Sequence, residues 1–567
     1  MFRERQFSRL RMRISPSGLR PADADVRSRI AASPELMIQQ QKKRIVLFLP
    51  HRADPAEGVR ASPDLLPLEL LQIATLPDKH GYEVHLVDAM VHEDYEQRLM
   101  ELCDGALCFG TSCILGFQVS HGARVARKIR ERFPKLPIIW GGWFPSVHPE
   151  IYLREGVADA VGMGQGEIVF WNFVQALESG TKLDDVPGLA LWRDNRVVYT
   201  AHQAVVGFDE IPDAPWHLLD FERYVYWQNH AGSAKQRHRL PLPWGMPAGT
   251  QWRGFSYYSS YGCPEPCTFC CSPMVTGRRW KAIPGKLTAE RLFECQERFK
   301  FNTVRFQDAN FGVAEKRSNE FCQALIDAGS PFWWNATYEI ETIARYKETS
   351  CDLLRDSKCH LVILGAEAGT KEQQERVKKN IDLDNHLELA LGRLYHRKIQ
   401  TGCTWIIGYP GETRESMLGT IKLAALMKHR FPGSASDIFP FRAIPGTEDY
   451  DEAIKRGYKP PQTFEEWGNC LEYKLAYDDI GLPLDVLKTW QRYVSTASFY
   501  DGHVREGSGP VRNAIRKIAG WRLKNNRYSI PVEQKAFDLY VKLTGQTQKN
   551  MVEVDRTSGV TPSPAQN

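Results

Sequence analysis

The sequence predicts an α/β protein in which two strand-and-helix units follow each other and a helical region ends the fold. Strand-like apolar runs alternate with helix-like segments over residues 41–205, and the alternation resumes over residues 249–455 after a proline-rich stretch. Alternation of this kind is typical of parallel sheets that helices cover. We therefore expect a doubly wound N-terminal domain, a second parallel sheet, and a helical C-terminal region over residues 456–545.

Five strand candidates make up the N-terminal unit. The first, Lys43–Pro50, is a continuous apolar run of the kind that a parallel sheet buries on both faces. The other strands are expected at His85–Asp88, Gly105–Gly110, Pro137–Trp140 and Ala158–Gly162, and helices at Leu66–His80, Tyr95–Leu102 and His121–Phe133. This order predicts a Rossmann-like sheet whose ligand lies at the carboxyl ends of the strands.

Small residues follow three of these strands. They are Ser112 after the third strand, Gly141 and Gly142 after the fourth, and Gly164 and Gly166, with Glu167 beside them, after the fifth. Glycine has no side chain in the way, so it permits a large ligand to approach the backbone closely. The pattern favours a cofactor at this edge, although glycines after strands are common in any sheet of this type.

A proline-rich stretch separates the two units, and we assign residues 206–248 to a linker. Beyond it the sequence predicts six further strands, which begin near Phe255, Thr303, Trp333, Leu361, Gly402 and Asp437. Six strand–helix repeats predict a partial barrel. Functional residues of barrels lie at the carboxyl ends of the strands.

Three cysteines lie on a short loop at the start of the second unit: Cys263, Cys267 and Cys270. Thiolates are the usual ligands of iron–sulfur clusters, and full ligation of a four-iron cluster takes four of them. Three thiolates would leave one iron open to bind a small molecule. The alternative is a zinc knuckle, but zinc sites commonly use a second ligand pair at short range, and none follows here. Cys271 adjoins Cys270 and is interpreted as a bystander.

Composition limits the other classes of function. The chain of 567 residues has 13 cysteines without a disulfide framework, which favours a reducing, cytoplasmic compartment. An uncharged apolar run of 18 residues is absent from the sequence, so no membrane span is predicted. The net charge of +5 is small for this length, and no long basic stripe argues for nucleic-acid binding.

The two ends of the chain have compositions unlike the rest. Residues 1–40 are rich in arginine and have little apolar periodicity, so we predict a disordered extension rather than a transit peptide. A further hypothesis is that translation begins at Met37. Residues 546–567 are rich in threonine, serine, proline and glutamine, and are predicted to form a disordered tail.

The cysteine motif, with Phe269 directly before its third cysteine, resembles the loop of the radical S-adenosylmethionine (SAM) superfamily. The resemblance implies that the three cysteines hold a four-iron four-sulfur cluster and that SAM binds the open iron beside Phe269. One electron from the cluster would cleave SAM to a 5′-deoxyadenosyl radical, so the cofactor would supply the difficult chemistry. An external electron donor such as flavodoxin or ferredoxin is the partner that the resemblance implies.

Residues after other strands of the second unit match the same family. The segment Gly365–Gly369 resembles a Gly-x-Glu-Ser-Gly strand end, which implies that Glu367 contacts SAM, although alanine replaces the usual serine. The loops Gly408–Thr413 and Pro445–Thr447 resemble those after the fifth and sixth strands. Tyr409 belongs to the first of these loops, and Asp308 and Asn310 also fall at the carboxyl end of a strand, where barrel active sites assemble, so we expect all three at the cofactor. The alternatives are a helix cap for Asp308 and a surface salt bridge for Glu367.

The small residues of the N-terminal unit resemble those of a cobalamin-binding domain, in which a serine loop and a Gly-Gly pair embrace the nucleotide tail. Ser112 and Gly141 have that kind of separation. The Asp-x-His-x-x-Gly motif that supplies a lower cobalt ligand is absent, since His51 and Asp54 stand in the wrong order. We therefore expect cobalamin without a histidine ligand.

The resemblance covers about residues 41–455 and predicts a cobalamin-dependent radical SAM methyltransferase. Its expected substrate is an unactivated carbon of a small molecule of specialised metabolism. One SAM molecule would remethylate cobalamin and another would yield the radical. The alternatives are a radical SAM cyclase or rearrangement enzyme related to the anaerobic magnesium-protoporphyrin ester cyclase and, outside catalysis, a cobalamin or iron–sulfur sensor.

Overall fold

The computed structural model describes residues 43–55, 65–207, 210–230, 249–379, 381–470, 482–501 and 510–528, with single positions from 243 to 247 and from 532 to 539. The predictions for residues 1–40, for a start at Met37 and for residues 546–567 lie outside these ranges. The described residues belong to one compact unit that begins at Lys43.

A seven-stranded sheet forms the first half of the fold. Its strands are β1 (Arg44–Leu49), β2 (Glu83–Asp88), β3 (Cys108–Ser112), β4 (Ile138–Gly141), β5 (Ala160–Gly162), β6 (Leu189–Arg193) and β7 (Arg196–Tyr199). They lie in the order β2-β1-β3-β4-β5-β6-β7, with the first five parallel and β6 and β7 antiparallel. The order reverses between β1 and β3, which is where doubly wound sheets bind ligands. The predicted Rossmann-like class is confirmed.

Helices cover both faces of this sheet, and β1 shows why. Ile45 and Leu47 pack with the helices of one face, whereas Val46 and Phe48 pack with those of the other. The first face carries α1 (Leu68–Lys79) and α6 (Gly166–Ser179); the second carries α2 (Tyr95–Cys103), α3 (Phe117–Arg132), α4 (Trp143–Val147) and α5 (Pro149–Arg154). Burial on both faces makes the strand a continuous apolar run.

The hairpin of β6 and β7 was not predicted from the sequence. Its two-residue turn consists of Asp194 and Asn195, whose φ angles are 48° and 58°. Two successive residues in the left-handed region define a type I′ turn, which asparagine and aspartate accept more readily than most residues. The Asp-Asn pair between two short apolar runs was therefore the signal for this hairpin.

The segment assigned to a linker contains ordered structure. A 3₁₀ turn at Trp216–Leu218 precedes α7 (Phe221–His230), and its buried side chains join the core of the second half. Tyr224 donates a hydrogen bond of 2.7 Å to Asp88 at the end of β2. The connection therefore packs against both halves, and the domain bounds given above stay predictions.

A six-stranded parallel sheet forms the second half. Its strands are β8 (Gly254–Tyr257), β11 (Thr303–Phe306), β12 (Trp333–Tyr338), β13 (Cys359–Glu367), β14 (Gln400–Ile407) and β15 (Ala435–Pro440), and a two-stranded ribbon of β9 (Ser260–Tyr261) and β10 (Lys281–Ala282) follows β8. The six strands neighbour one another in chain order, from β8 to β15. This arrangement confirms the predicted partial barrel and all six of its strands.

The barrel has an apolar outer side and a more open inner side. The helices of this half are α8 (Ser272–Thr276), α9 (Gly285–Phe299), α10 (Glu315–Asp327), α11 (Ile340–Arg345), α12 (Glu348–Asp356), α13 (Lys371–Arg376), α14 (His386–His396) and α15 (Arg414–Arg430). All of them except α8 and α13 contribute to the apolar core on the outer side. Trp334, Val362 and Cys403 belong to the core between these helices and the strands. Thr404 and Asp437 pair with each other and point to the opposite face, where Thr404 is half-buried and Asp437 is exposed.

Four helices follow the barrel: α16 (Glu448–Lys455), α17 (Phe464–Gly468), α18 (Leu484–Asp501) and α19 (Pro510–Asn525). The helices α18 and α19 pack on α15, whereas α17 packs on α3 of the first half. Trp490 and Tyr493 are buried, whereas Trp521 is 59% exposed. In the described part of the chain, no helix is both long enough and apolar enough to traverse a bilayer.

Candidate functional site

The loops after β3 and β4 touch each other at the carboxyl edge of the first sheet. The backbone N–H of Cys113 donates to the carbonyl of Gly141 at 3.3 Å. Gly142 has a φ of 91°, and a Cβ placed there would lie 2.4 Å from the carbonyl oxygen of Cys113 and 2.7 Å from the Oγ of Ser112. The structure thus brings Ser112, Gly141 and Gly142 together, and the contact requires glycine at position 142. That these residues bind a cofactor stays a prediction.

The loop after β5 joins the same edge. Ser146 donates from its Oγ to the carbonyls of Gly142 at 2.8 Å and Gly162 at 3.2 Å, which ties this loop to the preceding one. Gly164 follows with a φ of 79°. Gly166 begins α6, where a Cβ would lie 3.0 Å from a methyl group of Ile73.

Glu167 is a buried carboxyl group in the first turn of α6. Burial raises its pKa to about 7. Tyr261 lies just before the cysteine loop of the barrel. Burial is the larger cause of its raised pKa, and the charge of Glu167 is the second cause. The charge of Glu167 therefore acts on the barrel side of the site, near the start of the cysteine loop.

Two histidines lie near the end of β1, where a lower cobalt ligand would be sought. His121 accepts at Nδ1 from the backbone N–H of His51, and its Nε2 lies 2.9 Å from the hydroxyl of Tyr95. Burial lowers the pKa of His121 to about 3, so the ring is neutral. Both nitrogens of His121 already have partners. The expectation of cobalamin without a histidine ligand stays a prediction.

The three predicted cluster cysteines lie between β9 and α8. Cys263 and Cys267 are buried, Cys270 is half-buried, and none of the 13 cysteines, all within the described ranges, forms a disulfide. Burial raises the pKa of Cys263 to about 11 and of Cys267 to about 12. Metal ligands must be thiolates, so a bound cluster would displace these protons. In the described part of the chain, no group of three or more His, Cys, Asp or Glu side chains is arranged so that it could hold a single metal ion.

Thr268 clamps the cysteine loop to two other elements. Its backbone N–H donates to the carbonyl of Val377 at 3.2 Å, and its carbonyl accepts from the backbone N–H of Asp449 at 3.2 Å. Its hydroxyl also donates to the carboxylate of Asp449 at 3.0 Å. Arg376 pairs with the same carboxylate at 2.9 Å. Sequence reasoning missed Asp449 and Arg376, because the contact joins residues far apart in the chain.

Asp308 anchors the strand that leads into the cysteine loop. Its carboxylate accepts from the backbone N–H of Ser259 at 2.7 Å, from the Oγ of Ser259 at 2.6 Å and from the Oγ of Ser260 at 2.7 Å. Burial raises its pKa, although Arg317 and these hydrogen bonds act against the shift. Asp308 is therefore not a helix cap, and its place at the cofactor stays a prediction.

Asn310 has a local structural role. Its side-chain oxygen accepts from the backbone N–H of Gly312 at 3.1 Å and so caps the 3₁₀ turn Phe311–Val313. Its carbonyl accepts from the indole N–H of Trp280 at 3.2 Å. The predicted contact between Asn310 and a cofactor is untested by these bonds.

A buried lysine lies between two carboxylates at the carboxyl ends of β12 and β13. The Nζ of Lys379 lies 2.7 Å from Glu339 and 3.8 Å from Glu367. Burial raises the pKa of Glu367 to about 7. Burial also lowers the pKa of Lys379, but the two carboxylates outweigh it and raise that pKa above its ordinary value. Glu367 is thus buried beside a cation rather than in a surface salt bridge.

The backbone holds Glu367 in an unusual conformation. Its φ is 63°, and the pairing of β13 with β14 shifts by one residue between Gly365 and Glu367. A Cβ at Gly365 would lie 2.2 Å from the carboxylate of Glu367. A positive φ at a residue other than glycine costs free energy, and such conformations cluster at functional sites.

The charges at the strand ends act on the cysteine loop. Burial is the largest cause of the raised pKa of both Cys263 and Cys267. The charge of Lys379 lowers these two pKa values and the charge of Glu339 raises them. The two charged residues therefore lie close to the thiols. Lys379 and Glu339 were missed in the sequence, since they belong to no motif that was recognised there.

Tyr409 completes the barrel side of the site. Its ring packs against Phe269 and Phe441 at centroid distances of 5.7 Å and 5.5 Å, and the guanidinium of Arg376 lies 5.1 Å from its centroid. The hydroxyl is buried and lacks a hydrogen-bond partner among the described residues. Buried polar groups are nearly always paired, so a water molecule or a ligand would satisfy this hydroxyl, and the contact of Tyr409 with a cofactor stays a prediction.

The two predicted cofactor sites adjoin each other through α8. A Cβ at Gly164 would lie 3.8 Å from the carbonyl of Val275 on α8. A Cβ at Gly446, after β15, would meet Met274 on α8 and would lie 3.5 Å from the Cβ of Val147 on α4. The helix after the cysteine loop therefore lies against the loops of the first sheet.

Comparisons with known proteins agree with this geometry. Residues 58–174 match the family described as B12 binding domain. An uncharacterized methyltransferase of Pyrococcus horikoshii is 26% identical over 53% of the chain, and the match spans 60% of that relative's length. A cytidylyl-2-hydroxyethylphosphonate methyltransferase of Streptomyces wedmorensis is 23% identical over 70% of the chain and 79% of its own length.

A third relative has a different activity. The anaerobic magnesium-protoporphyrin IX monomethyl ester cyclase of Synechocystis is 24% identical over 64% of the chain and 68% of its own length. Its match is comparable in identity to those of the two methyltransferases.

Two solved structures share the fold across both halves. The cobalamin-dependent S-adenosylmethionine radical enzyme OxsB, with aqua-cobalamin and S-adenosylmethionine bound, has a TM-score of 0.64 and 13% identity over 92% of this chain and 79% of its own. The radical S-adenosylmethionine methyltransferase TsrM of Kitasatospora setae has a TM-score of 0.59 and 14% identity over 88% of this chain and 100% of its own. The predicted resemblance is confirmed: the chain contains a B12-binding domain and has the fold of cobalamin-dependent radical SAM enzymes.

Proposed function

We propose that the protein is a cobalamin-dependent radical SAM methyltransferase that methylates an unactivated carbon of a small-molecule substrate. The observation that carries the proposal is the contact of α8, directly after the cysteine loop, with the glycine loops of the B12-binding domain. Methyl transfer from one cofactor to a carbon activated by another requires the two sites to adjoin. The scattered free cysteines favour a cytoplasmic location, with flavodoxin or ferredoxin as electron donor.

The residues present fit the proposed iron–sulfur cluster. Cys263, Cys267 and Cys270 supply three thiols on a largely buried loop that Thr268 clamps in place. Thiolates are the ligands that such clusters require, and the missing fourth ligand leaves a position for SAM. The ammonium of Lys379 favours the thiolate form of Cys267, where it outweighs the opposing charge of Glu339.

The residues beside the loop fit the amino-acid end of SAM. Lys379 would pair with its carboxylate, while Glu339 and Glu367 would accept hydrogen bonds from its ammonium group. One cation between two carboxylates leaves an excess of negative charge, which suits an incoming cation. The unpaired hydroxyl of Tyr409 offers a further contact.

The edge of the first sheet fits cobalamin. Ser112 offers a hydroxyl, and Gly141, Gly142 and Gly164 leave the backbone open to a large ligand. When all three are bound, the cluster and SAM supply radical chemistry and cobalamin supplies the methyl group. The chain's own residues would orient these groups and exclude water between them.

The cyclase relative motivates a second candidate. A cyclase that uses the same two domains would generate the radical without transferring a methyl group. The residues near the cysteine loop fit both reactions equally well, so the distinction rests on the reaction products.

An assay with labelled SAM tests the proposal. Anaerobically reconstituted protein would receive cobalamin, a reductant and SAM with a deuterated methyl group, and mass spectrometry would follow deoxyadenosine, S-adenosylhomocysteine and labelled cobalamin. Both SAM products with label on cobalamin are expected. Deoxyadenosine without label would favour the cyclase, and neither product from protein with verified cofactors would contradict both enzymes.

A further inference from the structure

One continuous segment, Thr447–Gly468, contacts both halves of the proposed site, and we call it the brace. It begins with α16, crosses residues 456–463 and ends with α17. Its first turn holds the cysteine loop and its last turn packs on the B12-binding domain. Neither contact contributes a group to the reaction, and neither follows from a motif in the sequence.

The first end of the brace fixes the cysteine loop through Asp449. Thr447 caps α16 by accepting from the backbone N–H of Tyr450, which presents the helix start to the loop. The backbone N–H and the carboxylate of Asp449 then bond the carbonyl and the hydroxyl of Thr268. Asp449 is buried, so these bonds are shielded from water and are strong. Thr268 lies between two of the proposed cluster ligands.

The other end of the brace is an aromatic anchor in the core of the B12-binding domain. Trp467 packs against Phe144 and His148 at ring distances of 5.0 Å and 5.4 Å. Phe464 packs against Tyr152 at 5.2 Å. The three partners lie on or between α4 and α5, which directly follow the Gly141–Gly142 loop.

The same end also contacts the helix after the Ser112 loop. A Cβ at Gly468 would lie 2.4 Å from the Oγ of Ser120 on α3, so α17 approaches α3 at the distance that glycine permits. Arg127 of α3 lies 5.3 Å from the ring centroid of Phe464 and 3.5 Å from Glu465. A capping box of Thr463 and Glu466 fixes the first turn of α17.

We infer that the brace positions the cobalamin loops relative to the cysteine loop. The inference rests on the proposed function for the identity of the two ligands, but the mechanical coupling concerns the chain alone. Because the anchor holds the helices behind the cobalamin loops, Trp467 is a positioning residue for cobalamin. Because Asp449 holds the cysteine loop, it is a positioning residue for the cluster. Each end of the brace serves a different cofactor, and its continuity fixes their separation.

The test compares full-length variants at the two ends. Trp467→Ala removes the anchor, Trp467→Phe keeps a ring there, and Asp449→Asn weakens the clamp on Thr268. The matched control is Trp490→Ala, because Trp490 is equally buried and its indole N–H donates to the carbonyl of Ile438, but it packs on the barrel. Hydrogen exchange on cofactor-free protein, binding of hydroxocobalamin and iron content after reconstitution are measured for each.

We expect Trp467→Ala to speed amide exchange in α3, α4 and α5 and to raise the Kd for hydroxocobalamin about tenfold, as when a competent conformation is populated one-tenth of the time. Its iron content should match that of the unmodified protein, and Trp467→Phe should restore most of the affinity. Asp449→Asn should show the reverse pattern, with loss of iron and little change in cobalamin binding. Both end variants should broaden the distribution of distances between cob(II)alamin and the reduced cluster in pulsed electron paramagnetic resonance.

Two results would overturn the inference. One is a Trp467→Ala protein whose exchange and cobalamin binding change no more than those of Trp490→Ala. The other is a loss of both cofactors together in either end variant, which would reflect general destabilisation. Unmodified protein that binds no cobalamin would refute the proposed function, and the exchange data would then decide on the brace alone.

Discussion

The two edges of the candidate site are built in different ways. On the B12-binding side, positive φ angles at Gly142 and Gly164 and the absence of side chains shape the edge. On the barrel side, the charges of the buried Lys379 and Glu367 and of the half-buried Glu339 shape it. An edge of bare backbone suits a large ligand with many weak contacts, whereas fixed charges suit the zwitterionic amino-acid end of a ligand. Substitutions should therefore act through volume on the first edge and through charge on the second.

Loss of a cluster ligand should produce the largest effect. Cys267→Ala removes one of three proposed iron ligands on the buried loop, so the reconstituted protein should lose its cluster and all cleavage of SAM. Iron and sulfide analysis with the deoxyadenosine assay would measure this. Cys271→Ala is the matched control, because Cys271 lies next in the chain to a ligand and should be dispensable. Normal cleavage by Cys267→Ala would refute the cluster assignment.

The charge at the barrel edge is tested by Lys379→Met. Removal of this cation leaves the buried Glu367 and the half-buried Glu339 without their positive partner. Breaking a buried ion pair costs about 3–5 kcal/mol of stability. Binding of SAM should weaken as well, since its carboxylate loses a partner. Denaturant unfolding and equilibrium binding of SAM would measure the two effects.

The neighbouring residue provides the control for this charge. Lys378 pairs with Glu448 at 2.6 Å, and both side chains are largely exposed. Exposed pairs contribute about 0–1 kcal/mol, so Lys378→Met should change stability little and SAM binding not at all. Equal effects of the two substitutions would show that buried charge is not what defines this edge.

The sequence predicts those parts of the two edges that depend on neighbouring residues in the chain, and only those parts. The apolar run of β1 and the spacing of the three cysteines are fixed by neighbouring residues, so both this strand and the cysteine loop were predictable, whereas the β6–β7 hairpin was missed. Lys379, Glu339 and Asp449 meet the loop only through folding, and no local pattern marks them. The anchor at Trp467 was likewise indistinguishable from an ordinary core aromatic, because its partners lie in the other half of the chain.

A buried charge in the first half should affect stability without affecting the site. Asp88 lies at the end of β2, and burial raises its pKa to about 6 despite hydrogen bonds from Tyr224 and Met90. Folding therefore favours the protonated form of Asp88. The resulting contribution to the free energy of unfolding is complete below about pH 4 and is lost as the pH rises through about 6. The loss amounts to about 3 kcal/mol. Asp88→Asn should therefore be increasingly stabilised relative to the unmodified protein from pH 4 to pH 8.

Denaturant midpoints of both proteins across this pH range would measure the effect. Asp94→Asn is the control of opposite sign, because a hydrogen bond from Arg98 lowers the pKa of exposed Asp94. That substitution should confer no advantage at high pH. A constant difference between Asp88→Asn and the unmodified protein at all pH values would contradict the buried-charge explanation.

Adding a single methyl group gives the sharpest test of the edge of the first sheet, which is shaped by the absence of side chains. A methyl group at Gly142 would meet the carbonyl of Cys113 at a positive φ, so Gly142→Ala should cost about 1–3 kcal/mol of stability. A methyl group at Gly141 has no atom within 4 Å. Gly141→Ala should thus leave the unfolding midpoint unchanged and yet weaken hydroxocobalamin binding, because the space beside Gly141 is where we place the ligand. Unchanged binding by Gly141→Ala would move the ligand away from this loop, whereas selective loss would show that bare backbone, rather than stability, is what this edge requires.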